Sequence, residues 1–254
     1  MNEVVAERLD GGVLRVAIDR PEKRNPMSPS VRDGLLAALE PALGDDAVRA
    51  VVLGSQGGFF CAGGDIESMR DLDGGVARRR MQGHHRLVRL LAACEKPVVA
   101  AVEGYAVGAG AGLALLADTI VLGAGATIGF PFFRVGLVPD LGLLYNLPRR
   151  VGPARARQLL LRAQMVKGEA ALAMGLADEL AEDGAVEQRA LEIARELARM
   201  PPGAFGLAKR QLALAPPDLD TALELETTAQ SIAFLGAEFA EGRAAFLEKR
   251  KPRF

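Results

Sequence analysis

Tryptophan is absent from the 254 residues, and cysteine, histidine and tyrosine each occur only twice. Cys61 and Cys94 are too few for a disulfide framework. With the adjacent His84 and His85 they also lack the spacing of a zinc site, because neighbouring residues on a helix point to different sides. The histidine pair is therefore read as part of a solvated helical face, and no metal is expected. Neither sign of charge dominates, with 31 Lys and Arg against 32 Asp and Glu, so no global field favours nucleic acid or an anionic membrane. No long apolar run is present either: the longest weakly polar stretch, 104–117, is glycine-rich and lies between Glu103 and Asp118. The opening Met1-Asn2-Glu3-Val4-Val5 is acidic where a secretory signal is basic and then apolar, so a cytoplasmic location is expected.

Half of the residues are apolar, enough to bury a substantial core. The segments 13–18, 50–53, 98–102 and 119–122 read as buried strands, with helical periodicity over 30–43, 76–94 and 110–117 between them. This is an α/β arrangement opening as β-α-β. After Pro148 the pattern turns helical, over 153–163, 167–174, 186–200, 204–213 and 218–247, with Pro201-Pro202 and Pro216-Pro217 as breaks. Residues 1–195 are read as the core domain and 196–254 as a helical region available for assembly.

Two glycine-rich turns, Cys61-Ala62-Gly63-Gly64-Asp65-Ile66 and Gly104 to Gly112, each follow a strand and lead into a helix. Such turns leave backbone N–H groups free to hold a developing negative charge, and two turns can offer two donors to one oxygen. Neither the second turn nor Gly123-Ala124-Gly125 completes a dinucleotide fingerprint: Leu113 and Ile128 stand where the third glycine belongs. No G-x-x-x-x-G-K-[ST] loop is present. Cys61 lacks a histidine partner and reads as a small buried thiol rather than a nucleophile. Asp65 reads equally as a helix cap and as a support residue.

These residues carry a resemblance. The chain resembles the enoyl-CoA hydratase/isomerase family, the crotonase fold, over essentially its whole length. Arg20 to Ser28 resembles its first CoA-contacting segment, Phe60 to Ile66 its A-G-x-D signature, Gly104 to Ala117 its second glycine segment, and Phe246 to Phe254 its tail. The resemblance implies a repeated β-β-α spiral core and an acyl-CoA thioester as substrate, with no separate cofactor. It further implies that Gly64 and Ala109 supply the N–H pair for the thioester oxygen, helped by the helix opening near Gly110. Lys23, Arg24, Ala62, Asp65 and Ile66 would lie along the CoA, with Phe246 and Lys249 reaching it from a neighbouring chain of a homotrimer or a dimer of trimers.

Hydratases of this family use two glutamates. Gly112 occupies the first position and Phe132 the second, and neither side chain can activate water. Asp140 stands where some isomerases of the family carry a catalytic aspartate. Flanked by Phe130, Phe132, Val138 and Leu141, its carboxyl would be raised in pKa by desolvation and suited to moving a proton, with Phe130 and Phe132 walling the acyl pocket. The local sequence equally allows Asp140 to cap a helix over 141–147. A dehalogenase-type use of Asp140 as nucleophile ranks lower, since those relatives rely on a tryptophan. Double-bond isomerisation is the leading reading. Hydration with atypical water activation, or acyl-CoA binding without turnover, are the alternatives.

Overall fold

The computed structural model describes residues 3–70 and 72–254; Met1, Asn2 and Asp71 lie outside the description. Its strands are β1 (Val4–Leu9), β2 (Val13–Ile18), β3 (Ala50–Ser55), β4 (Val98–Val102), β5 (Tyr105–Val107), β6 (Thr119–Gly123), β7 (Thr127–Gly129), β8 (Met165–Lys167) and β9 (Glu179–Ala181). Its helices are α1 (Pro29–Leu43), α2 (Gly74–Ala92), α3 (Ala109–Ala114), α4 (Leu143–Val151), α5 (Pro153–Leu161), α6 (Gly168–Ala173), α7 (Val186–Leu197), α8 (Pro202–Leu214), α9 (Leu219–Phe234) and α10 (Ala237–Glu248).

Six strands form one sheet in the order β1-β2-β3-β4-β6-β9, and β5-β7-β8 form a second. The large sheet is parallel except for the β1–β2 hairpin. Its central strands are apolar on both faces because both faces are covered, as parallel crossovers require. Leu14, Val16, Val51, Leu53, Val98 and Ile120 point into the core shared with α1, α2 and α3. The alternating residues Val13, Ala50, Val52, Val99 and Val121 pack under Val186, Ala190 and Ala194 of α7. The expected β-α-β opening is present as β2-α1-β3, with β2 and β3 parallel, and the edge strand β1 precedes it as an antiparallel partner of β2.

Helix α1 begins where its sequence says it should. Ser28 accepts the Val31 N–H at 3.0 Å, Pro29 takes the first turn, and Val31, Leu35, Leu36 and Leu39 form the buried stripe. The chain beyond Pro148 is less purely helical than its composition suggests: β8 joins the second sheet and β9 the edge of the first. The helix expected over 218–247 is two, α9 and α10, separated at Leu235 and Gly236.

The histidine pair departs from expectation. His84 is only 4% exposed and lies on the inward stripe of α2 with Leu87 and Leu91, while His85 faces out. Among the described residues no helix is long and apolar enough to cross a membrane.

Candidate active site

The two glycine turns interlock through backbone. Cys61 donates its N–H to the Tyr105 carbonyl at 2.8 Å, and the Val107 N–H returns to the Cys61 carbonyl at 3.0 Å. A Cβ placed on Gly110 would collide with that same carbonyl, so only glycine permits the approach. Gly108, at φ 54 and ψ −115, turns the chain into α3, and a Cβ there would stand 3.8 Å from the Gly63 Cα. Gly64 and Ala109 are the residues that follow these two points of closest approach. Neither of their N–H groups finds a hydrogen-bond partner among the described residues. Helix α3 starts at Ala109, one residue earlier than expected.

The first turn is held from below by the segment before α1. Met27 and Gly64 form a bridge, with the Met27 N–H donating to the Gly63 carbonyl at 2.7 Å and the Asp65 N–H donating to the Met27 carbonyl at 3.1 Å. Asp65 opens the short 3-10 helix Ile66–Met69 without a side-chain cap. Its carboxylate instead takes the Arg20 guanidinium at 3.0 Å, while Arg20 also reaches Glu3 at 3.1 Å. Burial would raise the Asp65 carboxyl, but the Arg20 hydrogen bond and charge outweigh it and hold it below the usual range. Cys61 is fully buried, and burial pushes its thiol up to about 11.

Asp140 lies on the loop before α4. That helix starts at Leu143 with Gly142 at its N-cap and no side-chain cap, so the carboxyl is not spent on capping. Its Oδ1 is buried with no partner among the described residues. Burial raises the carboxyl to about 6, with Arg80 and His85 pulling the other way. The loop leans on α3, where a Cβ at Gly112 would collide with the Cβ of Leu141. Of the expected apolar neighbours, Phe130, Phe132 and Leu141 are buried, but Val138 is 72% exposed and contributes no wall. The Phe132 ring lies 3.8 Å from a Cβ position on Gly108; Phe130 is sealed in the core.

Lys23 and Arg24 are exposed beside the first turn. Lys23 pairs with Glu67 at 2.6 Å. Arg24 accepts the Ala62 N–H on its carbonyl at 3.0 Å and sets its guanidinium 5.8 Å from the Phe59 ring centroid. Ala62 and Ile66 are exposed on the same turn. Phe246 and Lys249 are exposed at the end of α10.

Several residues here had no sequence signal. Asn25 is buried at φ 54 and braces the turns, donating to the Gln56 and Phe59 carbonyls and accepting the Arg20 N–H. The Met69 methyl lies where a Cβ on Gly64 would be, 2.6 Å from it. Arg80 donates to Ser68 Oγ at 3.0 Å, and Ser68 Oγ donates to the Asp65 carbonyl at 2.6 Å. Periodicity places Arg80 in the right helix but says nothing of what that helix crosses, and Met69 falls outside every predicted element.

The family model for enoyl-CoA hydratase/isomerase matches residues 8–254. The chain is 35% identical to the 1,2-epoxyphenylacetyl-CoA isomerase of Escherichia coli (strain K12), covering 100% of this chain and 99% of that one. It is 32% identical to the short-chain-enoyl-CoA hydratase of Clostridium acetobutylicum, over 99% of this chain and 97% of that one. Among solved structures, an enoyl-CoA hydratase/isomerase from Cupriavidus metallidurans CH34 superposes with a TM-score of 0.92 at 34% identity, covering 99% of this chain and 96% of that one.

Proposed function

The chain belongs to the enoyl-CoA hydratase/isomerase family and is a crotonase-fold enzyme; within that family we propose that it moves a carbon–carbon double bond, with Asp140 as the proton carrier. The observation that carries this reading is the carboxyl of Asp140: it is buried, unpartnered at Oδ1 and raised to about 6. A base with a pKa near the working pH combines enough ionised form with enough proton affinity.

In this reading the thioester oxygen sits between the N–H groups of Gly64 and Ala109. Asp140 takes a proton from one carbon of the enoyl chain, and the electrons of that C–H bond pass through the conjugated system onto the oxygen. The two amides hold the resulting enolate, and removal of one such donor typically costs on the order of 10²–10³ in turnover. The same carboxyl then returns its proton at another carbon, and the negative charge leaves the oxygen as the shifted double bond forms. No water takes part.

The lining supports isomerisation over hydration. Gly112 and Phe132 hold no group that could activate water, and Leu141 leaves no room for one at position 112. The relative named 1,2-epoxyphenylacetyl-CoA isomerase gives a precedent for isomerase chemistry on such a chain. Lys23 and Arg24 are the proposed contacts to the CoA phosphates. Phe246 and Lys249 would be brought from a neighbouring copy of a trimer or of a dimer of trimers, for which exposed Leu212, Leu235, Phe246 and Leu247 on and around α8 to α10 offer apolar surface. Product analysis decides the reaction: a 3-enoyl-CoA should yield its 2-enoyl isomer. Hydration of a 2-enoyl-CoA, without interconversion of the two, would replace this reading.

A further inference from the structure

Among the described residues the buried side-chain atoms without a partner include Arg80 Nη2, His84 Nδ1 and Asp140 Oδ1. The first two lie one turn apart on α2 and so share a face of that helix. The loop bearing Asp140 packs on the same helix, where a Cβ at Gly142 would stand 3.2 Å from Val88 Cγ1. Arg80 also acts electrostatically on both His84 and Asp140.

The Arg80 side chain crosses from α2 to the short 3-10 helix Ile66–Met69 that follows the first glycine turn. One nitrogen, Nη1, is fixed on Ser68, and the other is enclosed with nothing among the described residues to donate to. A buried donor left unpaired against a hydrocarbon chain weakens binding, whereas an oxygen placed against it restores the lost bond. We propose that Arg80 Nη2 is the specificity-determining donor of the acyl pocket and takes a neutral oxygen carried on the acyl chain, so that the substrate is a hydroxylated, oxo- or ether-bearing acyl-CoA. This rests on the reading of Gly64, Ala109 and Asp140 as the reacting centre.

A neutral oxygen fits better than a carboxylate. Burial and the nearby Arg32 draw the Arg80 guanidinium below its usual range, and Asp65 and Asp140 already oppose that draw. A third carboxylate would face Asp140 and be repelled by it. His84, one turn along the same face, adds no charge, since burial lowers its imidazole to about 4.

Calorimetric titration with saturated thioesters tests this, because they carry no double bond to move and report recognition alone. The probes are hexanoyl-CoA, hydroxyhexanoyl-CoA with the hydroxyl at successive chain positions, and adipoyl-CoA. The wild type should bind at least one hydroxylated thioester about tenfold tighter than hexanoyl-CoA. Arg80→Met should reduce that preference to about twofold or less, and Asp140→Asn should keep it. No preference in the wild type, a preference that survives in Arg80→Met, or tightest binding of adipoyl-CoA would each overturn the proposal. The wild-type comparison stands even if Arg80→Met fails to fold. Loss of the base reading would show separately, as isomerisation that persists in Asp140→Asn.

Discussion

Leu141 fills the space that any side chain at Gly112 would need, and it does so from the left-handed region, at φ 49. The loop before α4 closes over position 112, where the resemblance puts a glutamate in the hydratases of this family. Gly112→Glu should therefore not confer hydration of a 2-enoyl-CoA. It should cost about 1–3 kcal/mol of stability by overpacking, read as a lower urea midpoint. Hydratase activity appearing in a folded Gly112→Glu protein would show that the loop yields easily.

Asp140→Asn should lower isomerisation by about 10²–10⁴ while leaving the fold intact, the range expected for loss of a positioned acid–base group. Circular dichroism and single-turnover assays on a 3-enoyl-CoA measure the two halves of this prediction. Isomerisation at the wild-type rate would remove Asp140 from the mechanism.

The same carboxyl gives a pH profile. Asp140 must be ionised to accept a proton, so kcat/KM should rise with pH through about 6 and level off above it. An acid limb near the ordinary carboxylate range would mean that the loop opens in solution.

Stability should move in the opposite sense. The folded protein binds the Asp140 proton more tightly than the unfolded chain, so this residue's penalty is absent below the unfolded carboxylate range. It grows as pH rises and is complete above about 6. Asp140→Asn should accordingly stabilise the protein at neutral pH by up to about 3 kcal/mol, and the gain should vanish near pH ~3. Urea unfolding of both proteins at the two pH values is the measurement.

Asp65 has the reverse sign. Its carboxyl is held below the usual range in the folded state, so its contribution is present above the unfolded carboxylate value and is lost as pH falls. Asp65→Asn leaves Arg20, mostly buried, with Glu3 as its remaining ion partner among the described residues. The expected cost at neutral pH is about 1–3 kcal/mol, with little change toward pH ~3.

Strands β2, β3, β4 and β6 are legible in the sequence because both of their faces are buried and they read as unbroken apolar runs. Strand β1 is not, because only Val4 is fully buried and the residues after it are mostly exposed, as on an edge. Strands β5, β7, β8 and β9 span three residues each, too few for a period to show. The break between α9 and α10 carries a glycine and no proline. The inward face of His84 was available from its spacing to Leu87 and Leu91, but the adjacent exposed His85 obscured it.

The candidate site divides along the same line. The glycine turns are visible because backbone geometry demands particular residues at particular positions. Arg80, Ser68, Met69 and Asn25 come into place only through the crossing of distant elements, which no local pattern encodes.

Because a backbone carbonyl, that of Cys61, abuts Gly110, main chain fixes the spacing of the two turns at their tightest point. Side-chain replacement around it can change which acid enters and how its hydrogens are handled without retuning the cradle. On the proposed mechanism, that separation would leave the amide pair in place while the residues that handle protons are exchanged.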